Sequence, residues 1–180
     1  VFLEQSLAAI LGGIVAGVFT LAGAYWSLRW QFTRQQRERD LSVRTLCKYT
    51  ISYVHDMAIE LDNIYKINGF ISYKIIDIIE TTIQIFNRNM EHMIFVTDEK
   101  LREEVRYFLY EMFYRIQTAK NIQISLDQVL RQAGLDATSG KMEEAAAAEK
   151  VNELKGAAQE AILQIVRHSL AGAELKTKLQ

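Results

Sequence analysis

The chain has 180 residues, and its 21 basic and 22 acidic side chains leave a formal net charge of −1. That balance excludes a chain-wide basic footprint for nucleic acid, and 49% hydrophobic with 24% charged residues is ordinary for a globular protein. Proline is absent, where about nine would be average, which suits long uninterrupted helices; the single cysteine, Cys47, excludes an intramolecular disulfide and agrees with a reducing compartment.

Residues 7–28, LAAILGGIVAGVFTLAGAYWSL, carry no charge. As a helix they span about 33 Å, enough to cross the roughly 30 Å hydrocarbon core of a bilayer. Tyr25, Trp26 and Trp30 stand at the C-terminal end, where amphipathic aromatics anchor helices at the membrane–water boundary. This pattern predicts one transmembrane helix. A buried helix of a soluble core is the first rival, disfavoured by length and flanks. A signal peptide is the second. The residues before the run, VFLEQS, contain Glu4 and no Lys or Arg, and the run exceeds the usual apolar stretch of about 7–15 residues.

Within the span, Ala9, Gly13 and Gly17 form one row and Gly12, Ala16, Thr20 and Ala24 a neighbouring one, each at a spacing of four. Together they make a helix face almost free of large side chains, on which a second helix can approach closely in lipid. The predicted self-association surface is Ala9, Gly12, Gly13, Ala16, Gly17 and Thr20.

Between residues 29 and 48 there are six positive side chains (Arg29, Arg34, Arg37, Arg39, Arg44, Lys48) and two negative ones (Glu38, Asp40), a net +4, whereas only Glu4 precedes the span. The positive-inside bias puts the C-terminal part in the cytoplasm of a plasma (bacterial inner) membrane protein and residues 1–6 outside. Arg29, Arg34, Arg37, Arg44 and Lys48 are the expected contacts to anionic lipid; an ordinary stop-transfer flank is the alternative.

The helix is expected to continue as a basic juxtamembrane stretch over 29–42 and then enter a helical bundle over 43–175, with 176–180 as a tail. No Gly or Pro interrupts residues 33–67, and Val43, Cys47, Thr50, Val54, Met57, Leu61 and Ile64 recur at coiled-coil-like steps of three and four. Asn68-Gly69 marks the stop. A second helix is predicted over about 70–95, with Ile71, Ile75, Ile78, Ile79, Phe86, Met90 and Met93 on its seam. Thr97-Asp98-Glu99 signals the start of a third. Its seam runs Leu101, Val105, Phe108, Met112, Ile116, Ala119, Leu126, Leu130 and Ala133, ending at Gly134 before a GLDATSG loop over 134–140. Tyr107, Tyr110 and Tyr114 widen its apolar arc and mark a candidate protein interface. A fourth helix is predicted over about 141–173, with Met142, Ala145, Leu154, Ala158, Ala161, Ile165 and Leu170 inward. The fold expected is all-α, a span continuing into an antiparallel bundle of about four helices.

Chemistry is hard to find in this sequence. His55, His92 and His168 fall on three predicted helices without metal-ligand spacing, and Cys47 sits on a packing seam. No phosphate-binding glycine loop or nucleophile motif occurs, so no catalytic residue, metal or cofactor is expected. Around Arg106, Tyr107, Tyr110, Tyr114 and Arg115, aromatics alternate with basic groups, but Glu103, Glu104 and Glu111 cancel the field, so no nucleic-acid partner is expected. The leading expectation is a non-enzymatic membrane component that forms a homo-oligomer and scaffolds or docks a cytoplasmic protein. The alternatives are an oligomeric membrane-perturbing or pore-forming effector of the phage-defence or toxin type, and a membrane-anchored ligand sensor.

Overall fold

A computed structural model describes the backbone of residues 2–139 and 144–179, and the side chains of these except 2–16, 90, 92, 134–139, 144 and 145. Among the described residues there are four α-helices and no strand: α1 (Phe2–Asn68), α2 (Tyr73–Arg88), α3 (Glu99–Ser139) and α4 (Glu144–Lys178), with a 3₁₀ segment (Met90–Phe95) between α2 and α3. The chain divides into two compact units, Val1–Ser42 and Val43–Gln180. No helix is long and apolar enough to cross a membrane among the described residues; the first ten positions of the predicted span, 7–16, have side chains outside that description.

The second unit is a bundle around one core. α1 ends where its sequence says it should. Gly69 takes the left-handed conformation, φ 69°, that a Cβ would strain, and its N–H donates to the Tyr65 carbonyl at 2.7 Å. Val43, Cys47, Thr50, Val54 and Leu61 are buried, and Met57 and Ile64 pack against the core edge. Ile51 and Ala58 are buried as well, because α1 has neighbours on more than one side.

The predicted helix over 70–95 is two elements. α2 buries Ile75, Ile76, Ile79, Ile83 and Phe86, while Ile78 is half-buried. Asn89 closes it: its Nδ2 donates to the Ile85 carbonyl at 2.8 Å and its N–H to the Phe86 carbonyl at 2.9 Å, satisfying carbonyls that the helix would otherwise leave open. Lys120 on α3 bridges to Glu80 at 2.9 Å and Asp77 at 3.0 Å. The Glu80 bond, then the Asp77 bond, raise its pKa.

α3 begins at the predicted cap. Asp98 Oδ1 accepts the Leu101 N–H at 3.0 Å, and its carbonyl accepts from Arg102 at 3.0 Å. Asp98→Ala is expected to lower stability by about 1 kcal/mol, read as a shift of the denaturation midpoint with unchanged slope; an unshifted midpoint would deny the cap a role. The seam from Leu101 to Leu126 is buried, but Leu130 is half-exposed and the core stops before it. The expected loop over 134–140 needs correction. α3 runs on through Ser139, since one interior Gly costs only about 1 kcal/mol relative to Ala and no Pro follows.

α4 runs to Lys178, and Leu175 and Leu179 are buried, so of the expected tail, residues 176–179 belong to the bundle, and 180 lies outside the described residues. Its inward row is Ala158, Ala161, Ile162, Ile165, Ser169, Gly172 and Leu175. Leu154 is half-buried. Leu170, expected inside, is 55% exposed. The predicted seam positions Met142 and Ala145 lie outside the described side chains.

Cross-helix pairs show antiparallel neighbours. On α2 and α3, Tyr73 meets Asp127 while Asp77 meets Lys120. On α3 and α4, Glu104 meets Lys178 while Arg115 meets Gln164. On α1 and α4, His55 meets Ser169 while Tyr65 meets the Lys155 carbonyl.

Candidate functional site

Within the first unit, residues 17–39 are exposed throughout. Val18, Phe19, Leu21, Leu28 and Phe32 range from 60% to 74% exposed, on several sides of the helix. Of the predicted self-association residues, Gly17 and Thr20 are described; both are exposed, and nothing lies within 4 Å of a Cβ built on Gly17. Ala9, Gly12, Gly13 and Ala16 lie on α1 with side chains outside the description.

The aromatic and basic residues that follow fall on one helix face at steps of three and four. Trp26, Arg29, Trp30, Thr33, Arg34 and Arg37 line an open trough of about 400 Å³. Tyr25 is exposed but is not part of it. The Arg34 guanidinium lies 5.8 Å from the centre of the Trp30 ring, a cation–π distance, and its Nε donates to Glu38 Oε1 at 2.9 Å. Thr33 donates to the Arg29 carbonyl at 2.9 Å. Among the described residues, neither Arg29 nor Arg37 has an ion-pair partner. Arg44 and Lys48 do not line the trough; they belong to the second unit and are half-buried there. The five expected lipid contacts thus separate into three and two. Thr33 and Glu38 are additions to the predicted set, and both lie at helical spacing from the residues it contained.

In the second unit, Tyr107, Tyr110 and Tyr114 share an outward face of α3 at 64–67% exposure. The wide apolar arc of α3 is therefore left open on that side by the chain's own helices.

A cleft of about 500 Å³ lies beside the α1–α2 turn, between Phe70, Tyr73, Leu126, Leu130 and Lys155. Gln123, Tyr73 and Asp127 are engaged with one another there. Gln123 is buried; its Oε1 accepts the Ile71 N–H at 2.8 Å, and its Nε2 donates to Asp127 Oδ1 at 2.8 Å. The Tyr73 hydroxyl donates to Asp127 Oδ2 at 2.7 Å. Burial, then the Asp127 carboxylate, push the Tyr73 phenol up to about 12. The arrangement pins the turn onto α3.

His55 Nδ1 lies 3.0 Å from Ser169 Oγ. His168 stacks on Phe108 with ring centres 4.9 Å apart and places Nε2 3.0 Å from the Phe108 carbonyl. The side chain of His92 lies outside the description. Cys47 is fully buried, with Sγ 3.5 Å from Met93 Sδ; burial pushes its thiol up to about 11 despite the nearby Arg44. No group of three or more His, Cys, Asp or Glu side chains suited to a metal ion occurs among the described residues. No protein-family model matches the chain, and neither do any curated protein or solved structure searched.

Proposed function

We propose that this protein is a single-pass membrane-anchored helical-bundle component without enzymatic activity, which associates with itself through residues 7–28 and docks a partner at the cytoplasmic membrane face. The observation that carries the reading is the set of large apolar side chains from Val18 to Phe32 standing exposed on α1. Exposed singly they would be unremarkable; as a collar on several sides of one helix they call for a covering solvent. The sequence continues that collar back to Leu7 without a charge, which supports a bilayer as the cover. The net +4 after the run supports a cytoplasmic bundle, and the exposed Tyr107, Tyr110 and Tyr114 supply a surface for a protein partner.

The test replaces Gly13 and Gly17 together by Leu. Leu is favourable in a bilayer but blocks close backbone approach. The variant is expected to float with membranes in a density gradient as the parent does. It is also expected to lose the disulfide-linked dimer formed by a Ser6→Cys reporter in a Cys47→Ser background. Undiminished crosslinking would remove the glycine face from the interface; failure of the parent itself to float would remove the anchor.

A further inference from the structure

We infer that the trough along Trp26, Arg29, Trp30, Thr33, Arg34 and Arg37 is a binding site for the phosphate of an anionic phospholipid headgroup, an inference that rests on the membrane-anchored reading and gives it a chemical preference. Three arginines and one acid, Glu38, meet on this face. The acid is taken up by Arg34 at 2.9 Å. That leaves Arg29 and Arg37 as uncompensated cations among the described residues. A guanidinium presents a planar fork of donors that matches phosphate oxygens in pairs. The trough's other walls are two indoles exposed by 69% and 65%; their apolar bodies suit glycerol and upper acyl carbons, and their N–H groups suit ester oxygens. Glu38 accepts from Arg34, whose guanidinium lies over the Trp30 ring. A trough that is apolar at one end and doubly cationic along its length fits a molecule with the same division, and a diacyl phospholipid with a net negative headgroup has it. Arg44 and Lys48, half-buried elsewhere, are not part of the site.

Trp26 and Trp30 are the chain's two tryptophans, so fluorescence excited at the red edge of indole absorption, beyond that of the eight tyrosines, reports this face alone. The full chain would be placed in phosphatidylcholine nanodiscs containing a small, equal share of either brominated phosphatidylglycerol or brominated phosphatidylcholine. Quenching by the brominated anionic lipid is expected to exceed that by the neutral one by about five-fold for each arginine engaged. Arg29→Gln with Arg37→Gln should bring the ratio close to one while leaving quenching by brominated phosphatidylcholine unchanged. Arg44→Gln with Lys48→Gln should preserve the ratio. Equal quenching by both lipids in the parent would overturn the site but keep the anchor. Quenching by neither would overturn the anchor and the site together. Inorganic phosphate at matched ionic strength should leave the ratio unaltered; if it collapses the ratio, the trough is a site for free phosphate and the lipid assignment falls.

Discussion

Alanine at Gly172 is expected to destabilise the bundle although alanine is the better helix former. Gly172 is buried on α4, facing Ile51 of α1 and Phe108 of α3. A Cβ there would lie 2.7 Å from Ile51 Cγ2 and 2.9 Å from Phe108 Cζ. Neither neighbour gives way easily. Ile51 is branched at Cβ and fully buried, with one strongly preferred helical rotamer, and the Phe108 ring is stacked against His168. Overpacking of this kind costs about 1–3 kcal/mol, against a propensity gain of at most about 1 kcal/mol. The net loss should lower the melting temperature by several degrees, at roughly 2–4 °C per kcal/mol for a chain of this size, followed by circular dichroism on the full chain in mild detergent. Gly156 provides the control on the same helix: it is exposed, and nothing lies within 4 Å of its added Cβ. Gly156→Ala should therefore raise stability by up to about 1 kcal/mol. If the two substitutions shift the melt alike, the close approach at Gly172 is not what holds α4.

The Cys47 thiol is expected to react with iodoacetamide at least about a hundred-fold more slowly in the folded chain than in denaturant at pH 8. The thiolate is the nucleophile. With the thiol raised from 9.0 to about 11, the reactive fraction at that pH falls about a hundred-fold from ionisation alone, and full burial slows the reagent further. The same shift sets a pH dependence. The folded state favours the neutral thiol, so its contribution to stability is complete below pH 9 and declines as pH climbs from 9 toward 11, where the unfolded chain has already lost the proton. Equal alkylation rates with and without denaturant would show that the Cys47–Met93 contact opens freely.

Much of this was legible because helical periodicity survives without tertiary information. The stop at Gly69, the cap at Asp98 and the buried row from Leu101 to Leu126 follow from local chemistry and spacing alone. What escaped depends on neighbours in space. On α4 the inward row passes through Ser169 and Gly172, not Leu170, because close helix approach selects small residues that resemble surface or breaker positions in a sequence. Asn89 ends α2 by folding its amide back onto Ile85, an option the isoleucine run before it conceals. At the basic stretch, the charge pattern alone grouped Arg44 and Lys48 with Arg29, Arg34 and Arg37. Only the packing of the second unit half-covers Arg44 and Lys48 and leaves the trough to Arg29, Arg34 and Arg37.

The two histidine contacts of α4 have a consequence beyond packing. Ser169 donates its hydroxyl to the Val166 carbonyl at 2.7 Å, so its oxygen can only accept from His55, whose proton must sit on Nδ1. The Phe108 carbonyl also can only accept, so His168 must carry its proton on Nε2. Adjacent residues of one helix are thus tied to two different helices, one through Nδ1 of His55 and the other through Nε2 of His168. A slide of α4 by a single residue would put a different side chain in each of the two places and break both bonds at once. The register of α4 is thus set by two imidazole protons as well as by the close fit at Gly172.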